Sequence, residues 1–376
     1  MDRISTLPDE IIACVLSCLT TKEAVATSIL SRRWRHLYWL TDKVELHGPK
    51  VKKRSCDSLV DPVNRVIMFR GGAPIKKFIL DASDAKLASI ASHVDVWIRA
   101  AMFRGLQELE LFSGWPGALA LPLSLWKHEQ LTKLTLSLSE RVRKPQQIKY
   151  VESARLPRLR SLKFKGMALT AEFINQIFTS SPFLEDVTLD NCYWTGGVRH
   201  LCSKSLRRLC LFNHEDKHEV NTIIDAPSLI YFNYSGELRV DYTIENLNSL
   251  SKADIILDCD YFNSQAVGKF LAGIDMAKDV SLFGFRLEWL KNEDVNDPFD
   301  ELSIFGNLRK LELGYMLQVE WDMLLDLLYS RPLLEALVFE EIDCESILPE
   351  EELDRFPPNL KVKPWETSTR IHTRTL

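Results

Sequence analysis

One arrangement of apolar residues recurs along most of this chain. An apolar residue is followed three and five positions later by two more, with variable residues between them. The arrangement occurs eleven times, and successive copies begin 21 to 31 residues apart. Apolar residues that alternate in this way predict a short strand with one buried face. The copies begin at Ile75, Leu106, Leu131, Leu159, Leu184, Leu206, Leu229, Leu250, Ala277, Leu308 and Leu334.

Repetition at this period predicts a solenoid of stacked units. Each copy supplies a strand whose apolar residues point into a shared core, while the residues between them point to an exposed, concave face. The stretch from Leu184 to Cys192 matches the leucine-rich-repeat template L-x-x-L-x-L-x-x-N/C through its last position. The alternative is a generic α/β domain with leucine-rich strands, which eleven recurrences argue against. We therefore predict an α/β fold, with an irregular leucine-rich-repeat solenoid (a horseshoe) of about eleven repeats over residues 75–362.

Helical spacing between the strands predicts the return segments of several repeats. Residues 91–103, 173–178 and 323–328 carry apolar residues three and four positions apart, and residues 59–69 do so ahead of the first repeat. The pattern is weakest over residues 236–305, where it sets no repeat boundaries.

The N-terminal stretch from Leu7 to Leu40 has a different period. Pro8 suits the first turn of a helix whose apolar stripe includes Ile11, Val15 and Leu16. Thr20 and Glu23 form a predicted capping box for a second helix, and Ser31 is predicted to cap a third. Three short helices cannot bury this apolar surface among themselves. The surplus favours either a partner interface or a cap that closes the following domain.

Composition sets further bounds on the chain. It has 376 residues, a net charge of −5 and no run of 18 apolar residues that would span a membrane. No apolar segment of a signal peptide follows the start, and eight scattered cysteines without a Cys-x-x-Cys pair indicate reduced thiols in the cytoplasm or nucleus. We expect four segments: residues 1–40, a connector at 41–74, the repeats at 75–362 and a mobile tail at 363–376.

Charge is unevenly distributed despite the small net value. Residues 141–165 hold nine basic side chains against one acid, and residues 288–354 hold 19 acidic against four basic. The basic run either accepts an acidic or phosphorylated target segment or is a solvated face, which is the commoner case. No recognition motif for nucleic acid accompanies it.

Sequence motifs for catalysis are missing. No phosphate-binding glycine loop, nucleophile elbow or zinc-protease motif occurs. His214 and His218 lie four apart in a polar, loop-like run without a third ligand, and Cys14 and Cys18 suit packing on a helix. We therefore predict a non-catalytic protein with no metal or cofactor.

The N-terminal stretch closely resembles a plant-type F-box. The matching segments are 7–12, 15–17, 24–28 and 30–35. The resemblance implies that this segment, residues 1–40, binds a Skp-type adaptor and, through it, a cullin ubiquitin ligase. The positions that match the partner-facing or core positions of the motif are Leu7, Pro8, Ile11, Val15, Leu16, Ser28, Leu30, Ser31 and Trp34.

The rest of the chain is similar to plant F-box/leucine-rich-repeat proteins. The segments that carry this likeness are 97–101, 106–111, 121–126, 181–185 and 331–335. Many relatives carry a further C-terminal FBD region, and from the polar sequence beyond residue 355 we expect no complete copy of it here. The resemblance implies a substrate receptor of a Skp–cullin–F-box ligase. The alternatives are a scaffold that directs no degradation and a small-molecule sensor that uses the repeat surface.

The target-binding residues follow from the predicted register of the strands. Mixed charge with interleaved aromatic side chains on the concave face suits a protein or peptide ligand. The candidates are Lys163, Lys165, Arg208, Phe212 and Tyr231.

Overall fold

A computed structural model describes the chain in twelve ranges. These are 6–48, 57–83, 91–114, 121–138, 146–147, 154–213, 220–238, 242–257, 264–284, 305–314, 321–340 and 355–363 without 359. Three predictions lie outside the described residues: the tail beyond residue 363, the pair His214 and His218, and most of the basic run before residue 154. The acidic stretch 288–354 is described only at 305–314 and 321–340.

The chain divides into two compact units. The first unit comprises residues 1–206 with 216–220, and the second unit comprises residues 207–215 with 221–376. The helices are α1 (Asp9–Ser17), α2 (Thr21–Ala26), α3 (Asp57–Phe69), α4 (Ala91–Phe103), α5 (Ala171–Ser180), α6 (Ser264–Ala272) and α7 (Trp321–Tyr329), with 3-10 helices at Thr27–Ile29, Trp34–Leu40 and Leu123–Lys127. Within the described ranges, no helix combines the length and the apolar character that a membrane crossing requires.

The first unit contains a parallel sheet in the order β1-β2-β3-β4-β6-β8. A second parallel sheet, β5-β7-β9, includes short strands that follow the main ones. The strands are β1 (Lys43–His47), β2 (Lys77–Ala82), β3 (Glu108–Ser113), β4 (Lys133–Leu138), β5 (Gln146–Gln147), β6 (Ser161–Lys165), β7 (Met167–Thr170), β8 (Asp186–Asp190), β9 (Tyr193–Thr195) and β10 (Arg199–Cys202).

The second unit continues the same alternation with a parallel sheet in the order β11-β13-β15-β16-β17-β18-β19. Outside this sheet, β12 pairs in parallel with β14. The strands are β11 (Arg208–Asn213), β12 (Thr222–Asp225), β13 (Tyr231–Gly236), β14 (Tyr242–Glu245), β15 (Lys252–Leu257), β16 (Asp279–Phe283), β17 (Lys310–Gly314), β18 (Ala336–Glu340) and β19 (Lys361–Lys363).

The predicted apolar triples and the strands coincide. In the described residues each of the eleven triples ends in a strand of a main sheet, from β2 to β18. Leu184, Val187 and Leu189 of one triple are at most 1% exposed, and even the weakest copy, with Leu250, Ala253 and Ile255, is buried. The α/β class and the repeating strand pattern are therefore confirmed, and β1 adds a strand before the first triple.

The predicted helices coincide with helices of the structure, but one predicted helix cap is not formed. α4 has the predicted bounds, and α3, α5 and α7 extend the predicted segments by one or two residues at one or both ends. The prediction that Ser31 caps the third helix is wrong. That helix is 3-10 and begins at Trp34, and the Ser31 hydroxyl is buried without a hydrogen-bond partner in the described structure.

Candidate functional site

The segment that resembles an F-box (residues 1–40, the F-box segment) has its own small core. Ile12, Leu16, Ala24, Trp34 and Leu37 are each at most 7% exposed and pack together. Leu7, Leu19 and Tyr38 are partly buried against this cluster. The nine residues that matched the F-box motif therefore differ in role. Leu16 and Trp34 belong to the core and cannot present their side chains to a partner, whereas others of the nine are exposed.

Large apolar side chains remain on the outside of the same segment. Ile11 and Val15 are each 50% exposed and lie one helical turn apart on α1. Ile29 and Leu30, in and just after the first 3-10 helix, are 86% and 62% exposed. Pro8 is also exposed, whereas Leu7, Ser28 and Ser31 are intermediate. Exposed apolar groups on so small a unit are typical of protein-binding surfaces in general.

Ile29 was missed by the sequence analysis. It is the most exposed of these apolar side chains, yet the motif positions included its neighbours Ser28 and Leu30 instead. α-helical periodicity does not predict that Ile29 is exposed. A 3-10 helix has 3.0 residues per turn, so a different set of residues faces solvent than in an α-helix. Its apolar character directly before Leu30 was the available signal.

Polar contacts hold the helices of this segment in place. The predicted capping box is confirmed: the Glu23 amide donates to Thr20 Oγ1 at 3.3 Å, and the Thr20 amide donates to Glu23 Oε2 at 2.9 Å. The Glu23 carboxylate accepts this bond from the Thr20 amide and a second one, at 2.8 Å, from the Thr20 hydroxyl, and these two bonds lower the pKa of the exposed carboxyl. Arg33 donates to the carbonyl of Leu7 at 2.7 Å and forms an ion pair with Asp9.

The F-box segment is also tied to the start of the first sheet. The amide of Glu45 in β1 donates to Thr21 Oγ1 at 2.7 Å. Arg70, which is 3% exposed, donates to the carbonyl oxygens of Lys43 at 3.2 Å and Trp39 at 3.4 Å. Burial lowers the pKa of Arg70 to about 10, so it remains charged at neutral pH. A buried cation on two backbone carbonyls makes this junction costly to disturb.

The strand face of the first unit, meaning the outward residues between the buried apolar ones, is lined by ion pairs. Lys77 bridges Glu108 at 3.0 Å and Glu110 at 3.1 Å, and Lys133 bridges Glu110 at 2.9 Å. Burial raises the pKa of Glu110, but hydrogen bonds from Lys133 and Lys77 outweigh it and lower the pKa overall. Pairs at a solvent-facing surface contribute little stability, although the carboxylate of Glu110 is itself only 14% exposed.

Two predicted target-binding residues lie on this first face. Lys165 pairs with Asp190 at 3.0 Å. Lys163 is exposed and has no ion pair in the described part of the chain. Both belong to β6 of the first unit, whereas the other three candidates belong to the second unit.

In the second unit the structure brings Arg208 and Tyr231 together. The guanidinium carbon of Arg208 lies 5.1 Å from the centre of the Tyr231 ring, and Nζ of Lys252 lies 5.7 Å from it. Because Tyr231 pairs with Arg208 on one side and Lys252 on the other in the strand register, its ring stands between two cations.

Hydrogen bonds immobilise the Tyr231 ring. Its hydroxyl donates to Asp254 Oδ2 at 2.7 Å and accepts from Asn233 Nδ2 at 3.0 Å. Burial, followed by the bond to Asp254, raises the pKa of Tyr231 to about 12, so the phenol stays neutral. Phe212, the fifth candidate, is partly buried on the same strand as Arg208.

The described residues bring together no group of three or more histidine, cysteine and carboxylate side chains that would hold a metal ion. Cys192 is buried, and burial raises the pKa of its thiol to about 12.

Comparison with known proteins agrees with this architecture. Residues 4–37 match the F-box domain model, and residues 94–247 match the model for the leucine-rich repeats of FBD-associated F-box protein At5g56370. A chain with an F-box segment ahead of parallel repeat strands is thus an F-box protein with leucine-rich repeats.

Comparison with individual relatives identifies the family within this class. The putative F-box/LRR-repeat protein At3g59160 of Arabidopsis thaliana is 30% identical over 90% of this chain and 82% of its own length. The putative F-box protein At3g58860 is 29% identical over 90% of this chain and 74% of its own, and the F-box/LRR-repeat protein At4g14103, from the same plant, is 28% identical over 90% and 91%. The chain belongs to the F-box/LRR-repeat family.

Proposed function

We propose that this chain is the substrate-recognition subunit of a Skp–cullin–F-box ubiquitin ligase. Its F-box segment binds the Skp-type adaptor, its repeats bind a target protein, and ubiquitin transfer is carried out by the partners. The observation that carries the proposal is the set of apolar side chains exposed around a well-formed core at Ile11, Val15, Ile29 and Leu30. Family membership supports the same role.

The proposal extends to architecture and location. The repeats continue as one solenoid of about eleven units over residues 75–362, preceded by the F-box at 1–40 and a connector at 41–74. The protein resides in the cytoplasm or nucleus. Free thiols at Cys14, Cys18, Cys192, Cys202 and Cys210 support a reducing compartment. Fractionation of cells that express a tagged chain tests the location, and recovery in a secreted fraction contradicts it.

Binding to a purified Skp-type adaptor tests the main proposal. The full chain is compared with an Ile29→Ser/Leu30→Ser variant, whose changes lie on the exposed side. Phe103→Ser is the matched control, because Phe103 is 93% exposed on α4, outside the F-box. We expect the double variant to bind at least about tenfold more weakly, since buried apolar anchors dominate such interfaces. Equal binding by all three chains, or no binding by a folded wild-type chain, contradicts the proposal.

The scaffold alternative needs a different measurement. A ligase receptor shortens the lifetime of its target, whereas a scaffold leaves the lifetime unchanged. Once a target is identified, its half-life is compared in cells with wild-type chain and with the Ile29→Ser/Leu30→Ser variant. A half-life that is the same in both favours the scaffold.

A further inference from the structure

The strand face of the second unit carries a cation, Arg208, that forms no ion pair with any other residue in the described ranges. Arg208 is exposed, and its recorded contact is with the Tyr231 ring rather than with a carboxylate in the described part of the chain. By contrast, Lys252 pairs with Asp254 at 3.2 Å, and Lys310 pairs with Glu312 at 2.9 Å. The Arg208 guanidinium is therefore available to an anion from outside.

Arg208 is also held in position before any ligand arrives. The Tyr231 ring over which it lies is fixed by the hydrogen bonds to Asp254 and Asn233. A guanidinium carries its N–H donors at the edge of its plane, and two parallel N–H groups match the two oxygens of a carboxylate. Preorganisation of this kind reduces the entropy lost on binding.

The local charge favours a carboxylate over a phosphate. Lys252 forms an ion pair with Asp254 at 3.2 Å and lies beside Asp279 in the strand register. Tyr231 itself is neutral, so the unbalanced positive charge among the described residues at this ring is that of Arg208. An aspartate or glutamate side chain neutralises it, whereas a phosphoserine carries about −1.5 to −2 at neutral pH.

Two apolar side chains lie further along the same face. Phe212 and Ile256 occupy equivalent positions on β11 and β15, on either side of the buried Ser235 in the register. Ile256 is 42% exposed and Phe212 is partly exposed. Exposed apolar groups of this kind offer a contact to a large apolar side chain of a partner.

The spacing of the two features defines a ligand. Phe212 follows Arg208 by four residues on β11, which is about 13 Å along a strand. An extended peptide covers the same distance in four residues, and its side chains at positions one and five point the same way. We infer that this face binds an extended target segment in which an aspartate or glutamate and a large apolar residue lie four positions apart. The inference rests on the proposed function, since it names the target class of the repeat surface.

Selection from a random peptide library tests the inference. The full chain is immobilised with and without bound Skp-type adaptor, and bound peptides are sequenced. The expected result is enrichment of an acidic residue paired with Leu, Ile, Met or Phe four positions away. Arg208→Gln removes the acidic preference only, and Ile256→Ser removes the apolar preference only. Arg207→Gln is the matched control, because Arg207 is an exposed neighbour that lies off the strand face.

Affinity measurements on one selected peptide sharpen the test. We expect Arg208→Gln to weaken binding about tenfold or more, because a charge-assisted hydrogen bond is lost, and Arg207→Gln to change it less than about twofold. Unchanged thermal unfolding of each variant shows that folding is intact. No paired enrichment, or equal binding by the Arg208 variant, overturns the inference; tighter binding when phosphoserine replaces the acidic residue overturns the carboxylate assignment. Failure of the adaptor to bind contradicts the proposed function instead. In that case the peptide selection without adaptor still tests the inference.

Discussion

The carbonyl oxygen of Leu7 accepts a hydrogen bond of 2.7 Å from Nη2 of Arg33, which ties the residues before α1 to the start of the last F-box helix. Arg33 also forms an ion pair with Asp9 in the first turn of α1. The two ends of the F-box segment, 26 residues apart in sequence, are thereby held together. We therefore expect the position of α1, and of its exposed Ile11 and Val15, to depend on this contact.

Substituting Arg33 tests how much the contact contributes. We expect Arg33→Met to cost about 1 kcal/mol of local stability, because one hydrogen bond to a backbone carbonyl is lost and the exposed ion pair adds little. Hydrogen exchange of the α1 amides should become about fivefold faster, as local opening becomes easier. Arg32→Met is the control, since Arg32 is exposed and has no recorded partner in the described structure. Equal exchange in both variants contradicts the prediction.

Substitutions at the buried Trp34 and the exposed Ile29 are expected to have different effects on stability and on adaptor binding. Its side chain is 3% exposed within the F-box core. Trp34→Ala should therefore destabilise this segment by about 3–5 kcal/mol, and adaptor binding is lost through unfolding of the segment. Ile29→Ala, at an 86% exposed side chain, should leave stability within about 0.5 kcal/mol while weakening adaptor binding. Circular dichroism and adaptor binding are measured together, and loss of helix in the Ile29 variant would contradict this assignment.

The reactivity of the native cysteine thiols tests whether the adaptor covers the exposed side of α1. Cys14 and Cys18 are exposed on and just after α1, whereas Cys192 is buried and burial raises the pKa of its thiol to about 12. Iodoacetamide at pH 8 should therefore label Cys14 and Cys18 and spare Cys192 in the folded chain. Bound adaptor should slow labelling of Cys14 and Cys18 at least about tenfold. Mass spectrometry of the digested chain measures each site, and unaltered labelling beside bound adaptor would place the interface elsewhere.

The contacts of His47 predict that the stability of the first two strands of the first sheet depends on pH. Its Nε2 lies 2.9 Å from Glu45 Oε1, and its Nδ1 lies 3.3 Å from Asp81 Oδ2. The hydrogen bond to Glu45, and then that to Asp81, raises the pKa of His47 despite partial burial. The pKa values of both carboxyls are lowered, so both remain ionised where His47 titrates.

The direction of this pH effect follows from the raised pKa. Stabilisation by protonated His47 is fully present below the unfolded-state pKa of about 6.5 and is lost as pH rises through the higher folded-state pKa. Hydrogen exchange in β1 and β2 should become faster between pH 6 and pH 8 in the wild-type chain, after correction for the intrinsic rate. His47→Gln should remove this extra dependence, and His93→Gln should retain it. A wild-type chain with no extra dependence contradicts the prediction.

Sequence patterns predicted the strands of the repeats well for a physical reason. Leu109 and Leu111, for example, recur at two-residue spacing because one side of each strand faces a continuous apolar core. The capping box at Thr20 and Glu23 was likewise predicted, because its hydrogen bonds join residues three apart in sequence. Local chemistry and short-range periodicity carry enough information for both.

The sequence by itself determined the class of the protein: an F-box segment followed by leucine-rich repeats, with their strands in register. Only the tertiary structure decided which F-box residues are exposed, because burial depends on the neighbouring helices. Leu16 and Val15 are adjacent in sequence and both apolar, yet one is 1% and the other 50% exposed. The same holds for Arg208, whose place on the Tyr231 ring arises from pairing between strands 23 residues apart. Contacts between distant segments are set by packing, which periodicity along one element does not encode.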